Sequence, residues 1–231
     1  MVKIGGFQKN SFIDYPGKIS CVIFLTGCNF TCPYCHNPEL ARGETPESHT
    51  LEEIRDFLSA RKGLIDGVVI SGGEPTLQTN LPNLCESIRK LGFPVKLDTN
   101  GSRPEMLKQL IRKEVIDYIA MDIKTDPFQY APVFHPENQS EAILESMKLI
   151  QESGLPHEFR TTCCKPIITG AVIETIARRL LRSDRYVLQR FHPNRVLNPD
   201  FFRRIPGEIS PVEINEWKQI AAKYSSEVEI R

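Results

Sequence analysis

The chain has 231 residues, enough for one substantial core and within the range where a barrel remains a single domain. Its 29 basic and 29 acidic residues cancel, which argues against nucleic acid or a membrane surface as the principal partner. The start of the chain lacks the apolar run of a secretory signal and no stretch approaches the ~18 apolar residues of a membrane span, so the expected compartment is the cytoplasm.

Taken in chain order, the first clear element is the apolar run Ser20–Leu25, which reads as a buried strand. It leads into GCNFTCPYCHNPEL, Gly27 to Leu40, where Cys28, Cys32 and Cys35 crowd one loop. Thr50 and Glu53 form a capping box at the start of a helix over Leu51–Lys62. Further strands are expected at Val68–Ser71, Val95–Asp98, Tyr118–Asp122, Phe159–Thr162 and Tyr186–Phe191, alternating with helices at Leu81–Leu91, Pro104–Lys113, Ser140–Ser153, Gly170–Leu181 and Pro211–Tyr224. Strands and helices that alternate in this way imply βαβ crossovers and a parallel sheet; the economical architecture is α/β, a partial (β/α)6 barrel open on one side. No repeat, low-complexity tract or linker divides the chain, so one domain is expected over 1–231.

In such sheets the chemistry gathers at the carboxyl ends of the strands. The unusual residues fall there: the three cysteines after the first strand, Ser71-Gly72-Gly73-Glu74-Pro75 after the second, Asp98-Thr99-Asn100-Gly101 after the third, Asp122-Ile123-Lys124 after the fourth and His192 after the sixth. In a reducing compartment, seven cysteines (21, 28, 32, 35, 85, 163, 164) point to metal or redox chemistry before disulfides. Three thiolates on one loop can hold three corners of an iron-sulfur cube, and without a fourth cysteine nearby one iron stays open to a ligand. Zinc is the rival, although His36 abuts Cys35 too closely for both to reach one ion easily. Cys21 and Cys85 read as small core residues, and Cys163-Cys164 receive no role. Gly72 and Gly73 permit close backbone approach, or simply a strand-to-helix turn. Asp98 and Asp122, at the ends of successive strands, could converge and would then need a cation or a proton between them, with Lys124 facing the same way as Asp122; a plain ion pair is the alternative. Arg160, inside an apolar strand, demands an anion.

The loop Cys28-x3-Cys32-x2-Cys35, with the aromatic Tyr34 before the third cysteine, resembles the signature of radical S-adenosylmethionine (SAM) enzymes. SGGEP, DTNG and MDIK, in that order, are similar to segments of the glycyl-radical enzyme activating proteins, above all those of anaerobic ribonucleoside-triphosphate reductase, with the pyruvate formate-lyase activating enzymes a sister group. The resemblance implies an oxidoreductase with a 4Fe-4S cluster on Cys28, Cys32 and Cys35 and with SAM chelated at the open iron. It implies cofactor contacts from Tyr34, His36, Ser71, Gly72, Gly73, Glu74, Asp98, Asn100, Asp122, Lys124, Arg160 and His192, and a monovalent cation at Asp98, Thr99 and Asp122. The implied partners are a glycyl-radical enzyme as protein substrate and an electron donor of the flavodoxin or ferredoxin type, in anaerobic metabolism. A ferredoxin-like insertion of clustered cysteines between Arg42 and Thr50 is absent from the sequence. Two other functions stand beside the activase: a radical enzyme acting directly on a small molecule or nucleotide, and a zinc-bearing interaction module, which metal analysis would separate.

Overall fold

The structure, a computed structural model, describes residues 2–46, 49–181 and 183–231; part of the stretch between Arg42 and Thr50 lies outside them. It has eight strands and seven α-helices among the described residues. They fall into two compact units: Met1–Asn29 with Glu39–Thr99 and Glu105–Ile119, and Phe30–Pro38 with Asn100–Pro104 and Ala120–Arg231.

In the first unit, β1 (Ile4–Ser11) runs antiparallel to β2 (Ser20–Leu25), and β2, β3 (Gly67–Gly72) and β4 (Val95–Thr99) are parallel neighbours. The register sets Val22 beside Val69 and Val69 beside Lys96, with Phe24 beside Ser71 one step further on. Because side chains alternate across a strand, Val22, Val69, Phe24, Ser71, Lys96 and Asp98 share one face. That face is apolar at its amino end, where Tyr15 packs on Val22 and Val69, and polar at its carboxyl end. The opposite face packs on helices α2 (Leu51–Ala60), α3 (Leu81–Lys90) and α4 (Pro104–Arg112), whose Ile54, Leu58, Leu84, Ile88, Leu107 and Leu110 are buried. The capping box is present: the Thr50 hydroxyl accepts from the Glu53 N–H at 3.2 Å and the Thr50 N–H donates to the Glu53 carboxylate at 2.8 Å, an arrangement typically worth ~1 kcal/mol.

The second unit carries the end of β5 (Tyr118–Asp122), then β6 (His157–Cys163), β7 (Arg185–Arg190) and β8 (Val228–Ile230), the last three in parallel register. Helices α5 (Ser140–Glu152), α6 (Gly170–Ala177) and α7 (Pro211–Ala221) cover them. The Thr169 and Ser210 hydroxyls cap α6 and α7.

Strands and α-helices follow the expected alternation, with three additional elements among the strands and α-helices and with α6 and α7 ending three or more residues short of their expected bounds. β1, β8 and the short α1 (Pro38–Arg42) carry no long apolar run and owe their conformation to neighbours. Helices α6 and α7 stop before the expected Leu181 and Tyr224 because the chain tightens: Leu180 N–H donates to the Ala177 carbonyl and Tyr224 N–H to that of Ala221, three residues back instead of four. No helix among the described residues is long and apolar enough to cross a membrane.

Candidate functional site

Backbone contacts fix the approach to the first cysteine. Beyond β2, Gly27 N–H donates to the Leu40 carbonyl and Cys28 N–H to that of Ala41, both at 2.8 Å, so the chain is clamped against α1. From the other side Gly73 N–H donates to the Leu25 carbonyl at 2.9 Å and Glu74 N–H to that of Gly27 at 2.8 Å. This is where glycine is required. A Cβ on Gly73 would lie 2.1 Å from the Gly27 oxygen, and one on Gly72, where φ is +123°, would lie 2.3 Å from the Leu25 oxygen. The close approach read from the sequence is therefore realised against the chain's own backbone, immediately before Cys28.

Glu74 is buried and accepts hydrogen bonds from the Thr76 N–H at 3.1 Å, from the Thr76 hydroxyl and from the Thr99 hydroxyl at 2.7 Å. Asp98 is held at both oxygens. The Ser71 hydroxyl donates to one at 3.0 Å, and the ammonium of Lys96 reaches the other at 2.5 Å. Lys96 is wholly buried and its ammonium lies 5.9 Å from the centre of the Tyr118 ring. Sequence reasoning missed this lysine, although Lys96 and Asp98, two apart in a strand, must share a face.

In the second unit the cysteine loop turns tightly, with Cys35 N–H donating to the Cys32 carbonyl at 3.0 Å. Cys32 is buried; Cys35, like Cys28 in the first unit, is half-exposed, and no cysteine is in a disulfide. Tyr34 is buried edge-on to Phe134, and its hydroxyl has no hydrogen-bond partner among the described residues. Burial first, then the neighbouring Cys32, Asp122, Tyr130 and Cys164, push this phenol well above its ordinary pKa. His36 is exposed and stacks on Phe191, with its Nδ1 3.3 Å from the Asn194 carbonyl oxygen. The loop after β7 pairs with the cysteine loop: Leu197 N–H donates to the Cys35 carbonyl and Asn198 N–H to that of Pro33, both at 3.0 Å. His192 lies exposed in that loop.

Asp122 is also held at both oxygens, by Arg160 Nε at 2.7 Å and by Lys124 Nζ at 2.8 Å. Burial alone would raise its pKa; the guanidinium of Arg160 and the ammonium of Lys124 outweigh that and hold the carboxyl far below the usual range. The anion that Arg160 demands is thus supplied by the protein. Arg160 also lies 3.9 Å from buried Glu158, which Arg231 engages at 3.1 Å. Asn100 is buried and accepts from the Ser102 N–H at 2.9 Å, closing a turn. Cys21, Cys85, Cys163 and Cys164 are fully buried and burial pushes each thiol up to about 12, which leaves them inert and suits the core reading of the first two. Among the described residues, no three His, Cys, Asp or Glu side chains are already gathered as a metal site.

The profile of the radical SAM superfamily matches residues 22–179. A protein of Methanocaldococcus jannaschii, provisionally named a glycyl-radical enzyme activating enzyme, is 38% identical over 236 residues, covering 99% of this chain and 95% of that protein. The pyruvate formate-lyase-activating enzyme of Listeria monocytogenes is 33% identical over 122 residues, 48% of this chain and 49% of that enzyme. Among solved structures, SuiB of Streptococcus suis, bound to its precursor peptide SuiA, superposes with a TM-score of 0.66 at 17% identity, covering 90% of this chain and 48% of SuiB. This chain thus spans about half the length of SuiB, and at that identity the likeness speaks for the fold alone: the α/β partial barrel, open on one side, expected from the sequence.

Proposed function

This chain belongs to the radical SAM superfamily, and we propose that it activates anaerobic ribonucleoside-triphosphate reductase by generating a glycyl radical on that partner. It is a radical SAM oxidoreductase of the glycyl-radical enzyme activating type, and its cofactors are a 4Fe-4S cluster and SAM. Held by Cys28, Cys32 and Cys35, a reduced cluster would supply one-electron reduction of SAM, and SAM would supply the hydrogen-abstracting chemistry directed at the glycine.

The observation that carries this reading is the cysteine segment: three unbridged thiols at the family spacing, two of them half-exposed, on a backbone clamped from both sides. Their chemistry fits an iron-sulfur cluster with one open iron. Cys28, Cys32 and Cys35 would hold it. The strand-end segment from Ser71 to Glu74 would receive the amino group of SAM, with Glu74 already oriented by Thr76 and Thr99. Arg160 and Lys124 would meet the carboxylate end of SAM, and Asn100, Tyr34, His36 and His192 would border the adenosine. A cation at Asp98, Thr99 and Asp122 fits less well, because each carboxylate already has an ammonium or guanidinium against it. In this reading the donor is a small flavodoxin- or ferredoxin-type protein and the compartment is the cytoplasm.

The test is anaerobic reconstitution followed by reduction and addition of SAM, with and without the reductase. Iron and sulfide should load, 5'-deoxyadenosine should form, and a glycyl radical should appear on the partner by electron paramagnetic resonance. Cys32→Ala should abolish both products; 5'-deoxyadenosine formed at the wild-type rate by that variant would refute the assignment.

A further inference from the structure

We propose that Lys96 is a built-in cation: at Asp98 its ammonium takes the place that the family resemblance gives to a monovalent metal ion, so that this chain works without one. The inference deepens the functional reading above and rests on it only where SAM is concerned. The side chain of Lys96 is 1% exposed and its ammonium lies 2.5 Å from one oxygen of Asp98, while the Ser71 hydroxyl donates to the other at 3.0 Å. Thr99, the next residue of the implied cation set, directs its hydroxyl hydrogen to Glu74 at 2.7 Å. A metal ion at Asp98 would therefore sit against a buried ammonium, and like charges repel strongly where water is excluded. The ammonium is also enclosed: Lys96 belongs to β4, is wholly buried, and its Nζ lies over the face of the Tyr118 ring. Asp122, described in its own unit, follows the same plan, with Arg160 on one oxygen and Lys124 on the other. Both carboxylates are neutralised by side chains of the chain itself. Lys96 is then a positioning residue, setting the orientation and charge of Asp98 without touching SAM.

The experiment compares the protein in potassium chloride and in tetramethylammonium chloride at equal ionic strength, reading the thermal midpoint of the apoprotein and SAM binding to the reconstituted protein by equilibrium dialysis. Wild type and Lys96→Arg should give the same values in both salts. Lys96→Met should melt lower and bind SAM about tenfold or more weakly in tetramethylammonium, and added potassium should restore both in a saturable way. Lys96→Met/Asp98→Asn, which removes the carboxylate's charge together with the ammonium and guards against a single variant that fails to fold, should not respond to potassium. A wild type that loses stability or SAM affinity when potassium is withdrawn overturns the proposal, as does a Lys96→Met protein indifferent to the ion. Should wild type bind no SAM in either salt, the functional reading falls, while the thermal midpoints still decide the role of Lys96.

Discussion

Gly73→Ala is the sharpest perturbation of the site available without altering one of the three cluster cysteines. The new methyl carbon would lie 2.1 Å from the Gly27 oxygen and 2.5 Å from its carbonyl carbon, and to reach even 3.0 Å the two backbones must part by about 0.9 Å. Neither neighbour is the free end of a side chain, so the movement must be taken by the segment that carries Cys28. That segment is tied by the hydrogen bonds from Glu74 to Gly27 and from Cys28 to Ala41, both 2.8 Å long, and separating the strands stretches the first directly. Overpacking of this kind costs ~1–3 kcal/mol, which for a chain of this size lowers Tm by roughly 2–12 °C. The functional cost should be larger, because a shift of ~1 Å in a positioned group can slow a reaction about 10²-fold. The assay is anaerobic loading of iron and sulfide, then 5'-deoxyadenosine formation with dithionite as reductant, alongside a thermal melt. A fall in rate far exceeding any fall in cluster content is expected. A Gly73→Ala protein within twofold of wild type in rate, with an unchanged melt, would refute the argument that this contact positions Cys28.

Three further outcomes follow from the same geometry. In a double-mutant cycle of Asp122→Asn and Arg160→Met, urea melts at pH 7 should give a coupling of ~1–3 kcal/mol, as for a partly buried charged hydrogen bond. Because Asp122 titrates lower in the folded than in the unfolded chain, its contribution is complete above the unfolded value of ~3.9 and is lost as the pH falls below it; the coupling should shrink between about pH 5 and pH 2. Thr99→Val removes the 2.7 Å donor to buried Glu74 and should destabilise by ~1.5–3 kcal/mol with little change in iron content. Iodoacetamide at pH 8 under reducing, metal-free conditions should label Cys28 and Cys35 first and leave Cys21, Cys85, Cys163 and Cys164 unmodified, as mass spectrometry of the digest would show.

The parts of the fold that can be read from the chain are those whose apolar pattern serves the core directly. Val68-Val69-Ile70 and Tyr186-Val187-Leu188 are buried on both faces and announce themselves as strands. β1 does not, because Ile4–Ser11 carries Gly-Gly at one end and Gln-Lys-Asn at the other and becomes a strand through its antiparallel partner β2. The short β8 depends on β7 in the same way. That Ser71, Asp98 and Asp122 stand at the carboxyl ends of their strands was legible because the alternation of strands and helices dictates it. That Arg160 required an anion was legible too; that the anion is Asp122, thirty-eight residues away, is tertiary information. The reason for Gly73 was hidden for the same cause, since the atom it must avoid belongs to another loop.

One local pattern survives this division and was present in the sequence throughout. Lys96-x-Asp98 in β4 and Glu158-x-Arg160 in β6 set opposite charges two residues apart, hence on one face of a strand, and Asp122-x-Lys124 repeats the spacing just where β5 ends. In the structure the three pairs meet, at 2.5, 2.8 and 3.9 Å respectively. A buried carboxylate that depends on a distant counter-ion is exposed to every shift between elements, and leaving it unpaired is costly. A counter-ion two residues along the same strand moves with it. The sequence thus builds opposite charges into the same stretch of chain, so that the carboxylates stay oriented before any cofactor arrives. Moving the lysine by one position, Lys96→Val with Leu97→Lys, would keep the composition of β4 similar while turning the ammonium to the opposite face. That change should cost at least as much stability as Lys96→Met, because Asp98 loses the ammonium at one of its oxygens and a charge enters the apolar helix-facing side, where Leu97 is fully buried.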